Sequence, residues 1–163
     1  MNTQDIQLLF KYNRWANAKI LNTATQISTE QFLLTAGYPH GGLRGTLTHA
    51  LFAEWIWRNR WQGESPVAPA FKADDFSTLK ELHDRWQKEE GELMKFVDGI
   101  TDERLNSVVR YKTMKGDVFE NVLWQLMAHM VNHGTQHRSE AAAQLTDMGH
   151  SPGDIDLIVF LRG

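Results

Sequence analysis

The sequence predicts an all-α fold: a four-helix bundle with a short extra C-terminal helix. Three observations predict it. The four prolines, Pro39, Pro66, Pro69 and Pro152, leave long stretches free of helix breakers. Apolar residues in those stretches recur with a period near 3.6. In the last stretch His133 and His137 stand one helical turn apart, which points both imidazoles the same way. A chain of 163 residues suits one domain with a real core, here residues 1–163.

The first helix is predicted from about Asp5 to Ile27, with Leu9, Tyr12, Trp15 or Ala16, Lys19 or Ile20, and Thr23 on its inner face. Ser28 and Thr29 end it or cap a short turn. The stretch Gly37–Gly45 contains YPHGG and reads as a loop. A second helix follows from about Thr46 to Trp61, with Gly45, His49, Phe52, Ala53 and Ile56 on one stripe. GESPVAPAF is a loop, and Ser77 or Asp75 caps a third helix that ends near Val97 before Gly99. SVVRYKTMKGD alternates weakly and closes on a turn signal, as a short hairpin or irregular crossing would. The fourth and longest helix is expected from about Asp117, as N-cap, to Met148, with Gly149 as C-cap. Pro152 stops it, and Asp154–Leu161 can form a last short helix.

Composition narrows the function. Lys plus Arg is 17 against 20 Asp plus Glu, a net charge of -3, which argues against a dedicated nucleic-acid binder. There is no cysteine, so disulfides, thiolate metal sites and a cysteine nucleophile are excluded. The polar N-terminus lacks a secretory h-region, and no apolar run approaches the roughly 18 residues of a membrane span. A cytoplasmic protein without a membrane partner is expected.

Any metal must then be held by nitrogen and oxygen. With Leu126 set at zero, His133 falls at about -20° and His137 at about +20° on the helical wheel, in the middle of the buried face. His129 lies on the flank at about -60°, and about 12 Å of axial rise separates it from His137. His49 is central on the second helix. His49, His133 and His137 are therefore the candidate ligands of a divalent ion, with His129 as a flanking residue. Zinc or nickel suits imidazole best, with iron or manganese as further candidates. Three protein ligands leave coordination positions open, as catalytic sites do. The competing reading is that each histidine is a hydrogen-bonded core residue. His40, His83 and His150 read as solvated, although His40 is near enough to the second helix to line a pocket mouth.

Other metal chemistries fit less well. A di-iron bundle needs inward glutamates and Glu-x-x-His, which this chain lacks. Glu54 falls about 140° from His49 and is expected to point away. HExxH is absent, since Gly134 stands where the general base would be. No built-in nucleophile is evident, so water or an exogenous thiol is the expected attacking group. Trp57 can wall the pocket or fill the core; Trp55 is expected to pack on another helix or a subunit interface. Arg58 reads as solvated, and Arg138 as the partner of an acidic neighbour.

Three segments, RWANAKIL in the first helix, GTLTHALFAEWIW around His49 and VNHGTQHRSE around His133 and His137, together resemble the DinB family. With the KGD turn before the last helix, the resemblance runs over nearly the whole chain. It implies an up-down-down-up bundle, often dimeric, with a divalent ion on the positions of His49, His133 and His137. The wider superfamily includes thiol-dependent S-transferases and a mycothiol-dependent isomerase. Ser139 departs from the glycine frequent there, without touching the ligands. The resemblance implies a metal-dependent transferase or hydrolase acting on a small molecule, with a low-molecular-weight thiol as a candidate cosubstrate. The alternative is a non-catalytic metal-binding or stress-response module.

Overall fold

The computed structural model describes all residues, Met1–Gly163. Four long helices form the body: α1 (Thr3–Ala24), α3 (Leu43–Trp61), α4 (Leu79–Asp98) and α6 (Leu123–Asp147). Short helices α2 (Thr29–Leu33), α5 (Asp102–Leu105) and α7 (Leu157–Leu161) and a hairpin of β1 (Val108–Lys112) and β2 (Val118–Val122) join or flank them. α1 and α3 each pack against both α4 and α6, so α1 faces α3 across the bundle and α4 faces α6. No helix is long and apolar enough to cross a membrane.

Local chemistry sets the helix starts. Asn2 and Asp5 form a capping box on α1, Ser28 and Gln31 on α2, and Thr78 and Glu81 on α4. Each box satisfies two backbone donors at the start of its helix. The α4 cap is thus Thr78, in place of the expected Ser77 or Asp75. α1 stops at Ala24 rather than Ile27, because residues 25–27 turn back through bonds to the carbonyls of Asn22, Thr23 and Ala24.

The last long helix corrects the expectation that it starts at Asp117. Thr113 N donates to the Asp117 carbonyl at 2.8 Å, and Asp117 N donates to Thr113 Oγ1 at 3.1 Å. These bonds, with Gly116 at φ 95°, close a hairpin turn. The β-rich run Val118–Val122 then pairs antiparallel with β1, from Val108 opposite Val122 to Lys112 opposite Val118. α6 starts only at Leu123, whose N–H donates to the Ser107 carbonyl at 2.9 Å instead of to a side-chain cap. The fold is thus mostly helical with one two-stranded sheet.

Segment 102–107 gathers one end of the bundle. Thr3 N at the start of α1 donates to Asp102 Oδ1 at 2.7 Å, and Arg104 Nη2 donates to the Trp61 carbonyl at the end of α3 at 2.6 Å. α4 ends just before this segment, and α6 is tied to it through Ser107. Two apolar clusters fill the interior. One, near this end, includes Phe10, Trp61, Val97 and Met127; the other includes Ile20, Leu47, Leu82 and Leu145.

One sequence-based expectation changes. Arg58 is not solvated: it forks onto Glu89 of α4, with Nη2 3.1 Å from Oε2, and Glu89 holds the guanidinium above its ordinary pKa. Trp55 packs on Phe71 of the connecting loop, ring centroids 6.1 Å apart, against the apolar cluster that also holds Leu82 and Trp86 of α4. The inner face of α1 carries Tyr12, Ala16, Ile20 and Thr23 as expected, and it also buries Phe10, Asn13 and Asn17, while Leu9 is only partly covered.

Candidate metal centre

α6 presents His133 and His137 from successive turns, and α3 presents His49 opposite them. The facing Nε2 atoms of His133 and His137 are 3.3 Å apart. The His49 ring lies 4.5 Å from the His137 ring and 5.2 Å from the His133 ring, centroid to centroid. A fourth ring, His40, stacks on His49 at 4.0 Å and meets His137 edge-on at 5.1 Å. The ligand atoms of His40, His49 and His137 all lie within 4.8 Å of one another, with His133 joined to them through His137. The loop residue His40, read from sequence as solvated, is therefore half-buried within the cluster.

A close backbone approach seats that loop. A Cβ on Gly45 would lie 1.8 Å from the His40 carbonyl oxygen, so only glycine lets the loop rest on α3 there. Tyr38 pins the same loop to the end of α6, its hydroxyl donating to Asp147 Oδ2 at 2.8 Å. Gly45→Ala is expected to push His40 away and destabilise the fold by about 1–3 kcal/mol, the usual cost of overpacking. Thermal denaturation measures it; an unchanged melting temperature would mean that the loop adapts freely.

Glu140 orders the cluster. His137 Nδ1 lies 2.8 Å from Glu140 Oε2, as an Nδ1–H donor to the carboxylate. Burial raises the Glu140 pKa, but hydrogen bonds from His137 and Gln136 outweigh it and hold the group below its ordinary value. An ionised Glu140 keeps the proton on Nδ1 and leaves the Nε2 lone pair of His137 facing His133. Burial, reinforced by the other rings, lowers His49 and His133 to about 4. Both are therefore neutral at pH 7 and able to ligate.

The donor set fits a divalent ion. Nitrogens bound at about 2.0–2.1 Å in a tetrahedron stand roughly 3.4 Å apart, close to the His133–His137 spacing. Buried His133 Nδ1 has no protein partner. Carboxylate support of a ligating imidazole, of the kind Glu140 offers His137, is the usual arrangement behind metal-bound histidine.

His129 flanks the cluster, with its ring 5.8 Å from that of His133 and 5.2 Å from that of Trp57, and burial lowers its pKa. Trp57 does not line the cavity beside His49; with His129 and Tyr111 it lines a separate one of about 320 Å³.

Behind the histidines lies a polar knot that the sequence does not reveal. Glu54 points away from the cluster as expected, but into the core, only 3% exposed. Asn13 and Asn17 each donate Nδ2 to its Oε1 at 2.7 Å, and Trp86 Nε1 donates to Oε2 at 3.0 Å. The same two amides accept from Arg138 Nη1, which is 3.0 Å from Asn17 Oδ1. The acidic neighbour of Arg138 is thus Glu54, reached through two asparagines. Burial pushes the Glu54 carboxyl up, against its N–H donors and the Arg138 charge, which pull it down. Gly134 makes room: a Cβ there would lie 2.7 Å from Arg138 Nη1.

The DinB family model matches residues 1–163, from end to end. The chain belongs to the DinB family. A relative from Bacillus subtilis (strain 168), Protein DinB, is 23% identical over 161 residues, covering 94% of this chain and 92% of its own length. In this DinB-family chain the clustered histidines are compatible with metal binding.

Proposed function

We propose that this chain holds a divalent ion, zinc or nickel first, on His49, His133 and His137, and uses it in a transferase- or hydrolase-type reaction on a small molecule. The observation that carries the reading is the convergence of imidazoles from two helices, one of them bonded to the Glu140 carboxylate. When bound, the ion supplies Lewis acidity toward an oxygen or sulfur donor. His49 and His133 stay neutral and so keep lone pairs for it. Glu140 holds the His137 ring and its tautomer. A cavity of about 340 Å³, walled by His40, His49, Phe52, Phe71 and Met114, offers an apolar approach for substrate. A small thiol is the proposed cosubstrate, since the chain has no cysteine of its own.

The test is a screen of thiol acceptors and small esters with Zn²⁺- or Ni²⁺-loaded and chelated protein. Turnover that requires the metal supports the reading. Stoichiometric metal uptake with no turnover would reject catalysis and leave a binding module. Glu140→Ala is expected to weaken metal affinity about 10–100-fold, the usual cost of losing a carboxylate behind a ligating histidine. Glu140→Gln, which retains an acceptor, should recover part of it; calorimetric titration reads both, and equal affinity in all three proteins would remove Glu140 from this role.

The up-down-down-up order and a homodimer belong to the same proposal. The order is supported by the bonds that bring the start of α1, the end of α3 and the start of α6 to segment 102–107. Sedimentation velocity tests the dimer.

A further inference from the structure

We infer that His40 is a fourth nitrogen donor to the ion, carried on the loop before α3 and closing the site on its cavity side. The inference rests on the three-histidine reading above and adds a ligand to it. The ligand atom of His40 lies within 4.8 Å of those of His49 and His137. Its ring stacks on His49 at 4.0 Å with the planes 15° apart, so it turns out of that stack to aim its lone pair at the same ion. The loop is also fixed in place: Gly45 admits the His40 carbonyl against α3, and Tyr38 is bonded to Asp147 at the end of α6. A donor held this way loses little entropy on binding.

His40 and His49 line the cavity of about 340 Å³, whereas His133 and His137 do not. His40 comes from a loop, and the other three come from long helices, so it is the ligand that can leave with least disturbance. A four-nitrogen site with one loop-borne member is closed at rest. It opens to an incoming donor when that member is displaced: the His40 nitrogen–metal bond breaks as the donor's bond forms, with no change in oxidation state.

Co²⁺ titration of the full chain tests this, followed by visible absorption and by competition with Zn²⁺. Three variants accompany the wild type: His40→Ala, His40→Phe and His137→Ala. Phe preserves an aromatic stack on His49 but has no nitrogen. If His40 donates, both His40 variants should weaken binding by roughly tenfold or more, since even loss of a supporting group costs about that much. Both should also change the Co²⁺ spectrum, and added imidazole should restore it in His40→Ala. If His40→Phe binds Co²⁺ with wild-type affinity and spectrum, His40 only packs and the inference is overturned. If that happens while His137→Ala loses the ion, the three-histidine reading survives alone. If the wild type takes up no Co²⁺ or Zn²⁺, both readings fall.

Discussion

Glu54→Ala is expected to destabilise the protein by about 3–5 kcal/mol, the usual result of removing one partner from a buried charge pair. The carboxylate is only 3% exposed and Arg138 2%, so water cannot take its place cheaply. Without it, the Nδ2 groups of Asn13 and Asn17 and the indole N–H of Trp86 lose their acceptor together. The Arg138 guanidinium remains buried with only neutral oxygens around it. Glu54→Gln keeps the shape but not the charge and should fall between wild type and Glu54→Ala. The double variant Glu54→Leu with Arg138→Met should be less damaged than the sum of its parts, because it leaves no orphaned charge. Urea denaturation measures these variants, with Glu54→Leu and Arg138→Met made singly, against wild type. A loss under about 1 kcal/mol in Glu54→Ala would mean that the pair is poorly coupled to the fold.

His137→Ala is expected to abolish metal retention. His137 borders His40, His49 and His133, and it is the one ring of the cluster bonded to a carboxylate. Its removal takes away a donor, the neighbour of every other donor, and the use of Glu140. The fold should survive, since helix propensity favours alanine, with a stability loss of about 1–3 kcal/mol for the vacated volume. Metal analysis after gel filtration from equimolar Zn²⁺ or Ni²⁺ reads the first effect, and circular dichroism the second. A folded variant that keeps a full equivalent of metal would place the ion elsewhere.

The neighbouring positions of His133 and His137 are legible in the sequence because spacing along one helix is a one-dimensional signal. His49 is legible for the same reason, as the centre of an apolar stripe. His40 is not, because a loop has no period. Its place depends on Gly45 admitting a carbonyl from another segment, which is a tertiary fact. The knot of Asn13, Asn17, Glu54, Trp86 and Arg138 is hidden for a related reason. The i,i+4 spacing of the asparagines is visible, but their partners come from two other helices, and angular reckoning from His49 says only that Glu54 points elsewhere. The start of α6 is missed because Asp117 is as good a turn residue as a helix cap. Pairing with β1, remote from local preference, decides between them.

The two asparagines that bridge Glu54 to Arg138 also set the alignment of the bundle. They lie on α1, the carboxylate on α3, the indole on α4 and the guanidinium on α6. Sliding α1, α3 or α6 by a turn, about 5.4 Å, would strand Glu54 or Arg138 without its partners. Greasy surfaces alone tolerate such slippage; this junction does not. It therefore acts as a registration pin, keeping the imidazole of α3 level with those of α6 even when no cation is there to draw them together.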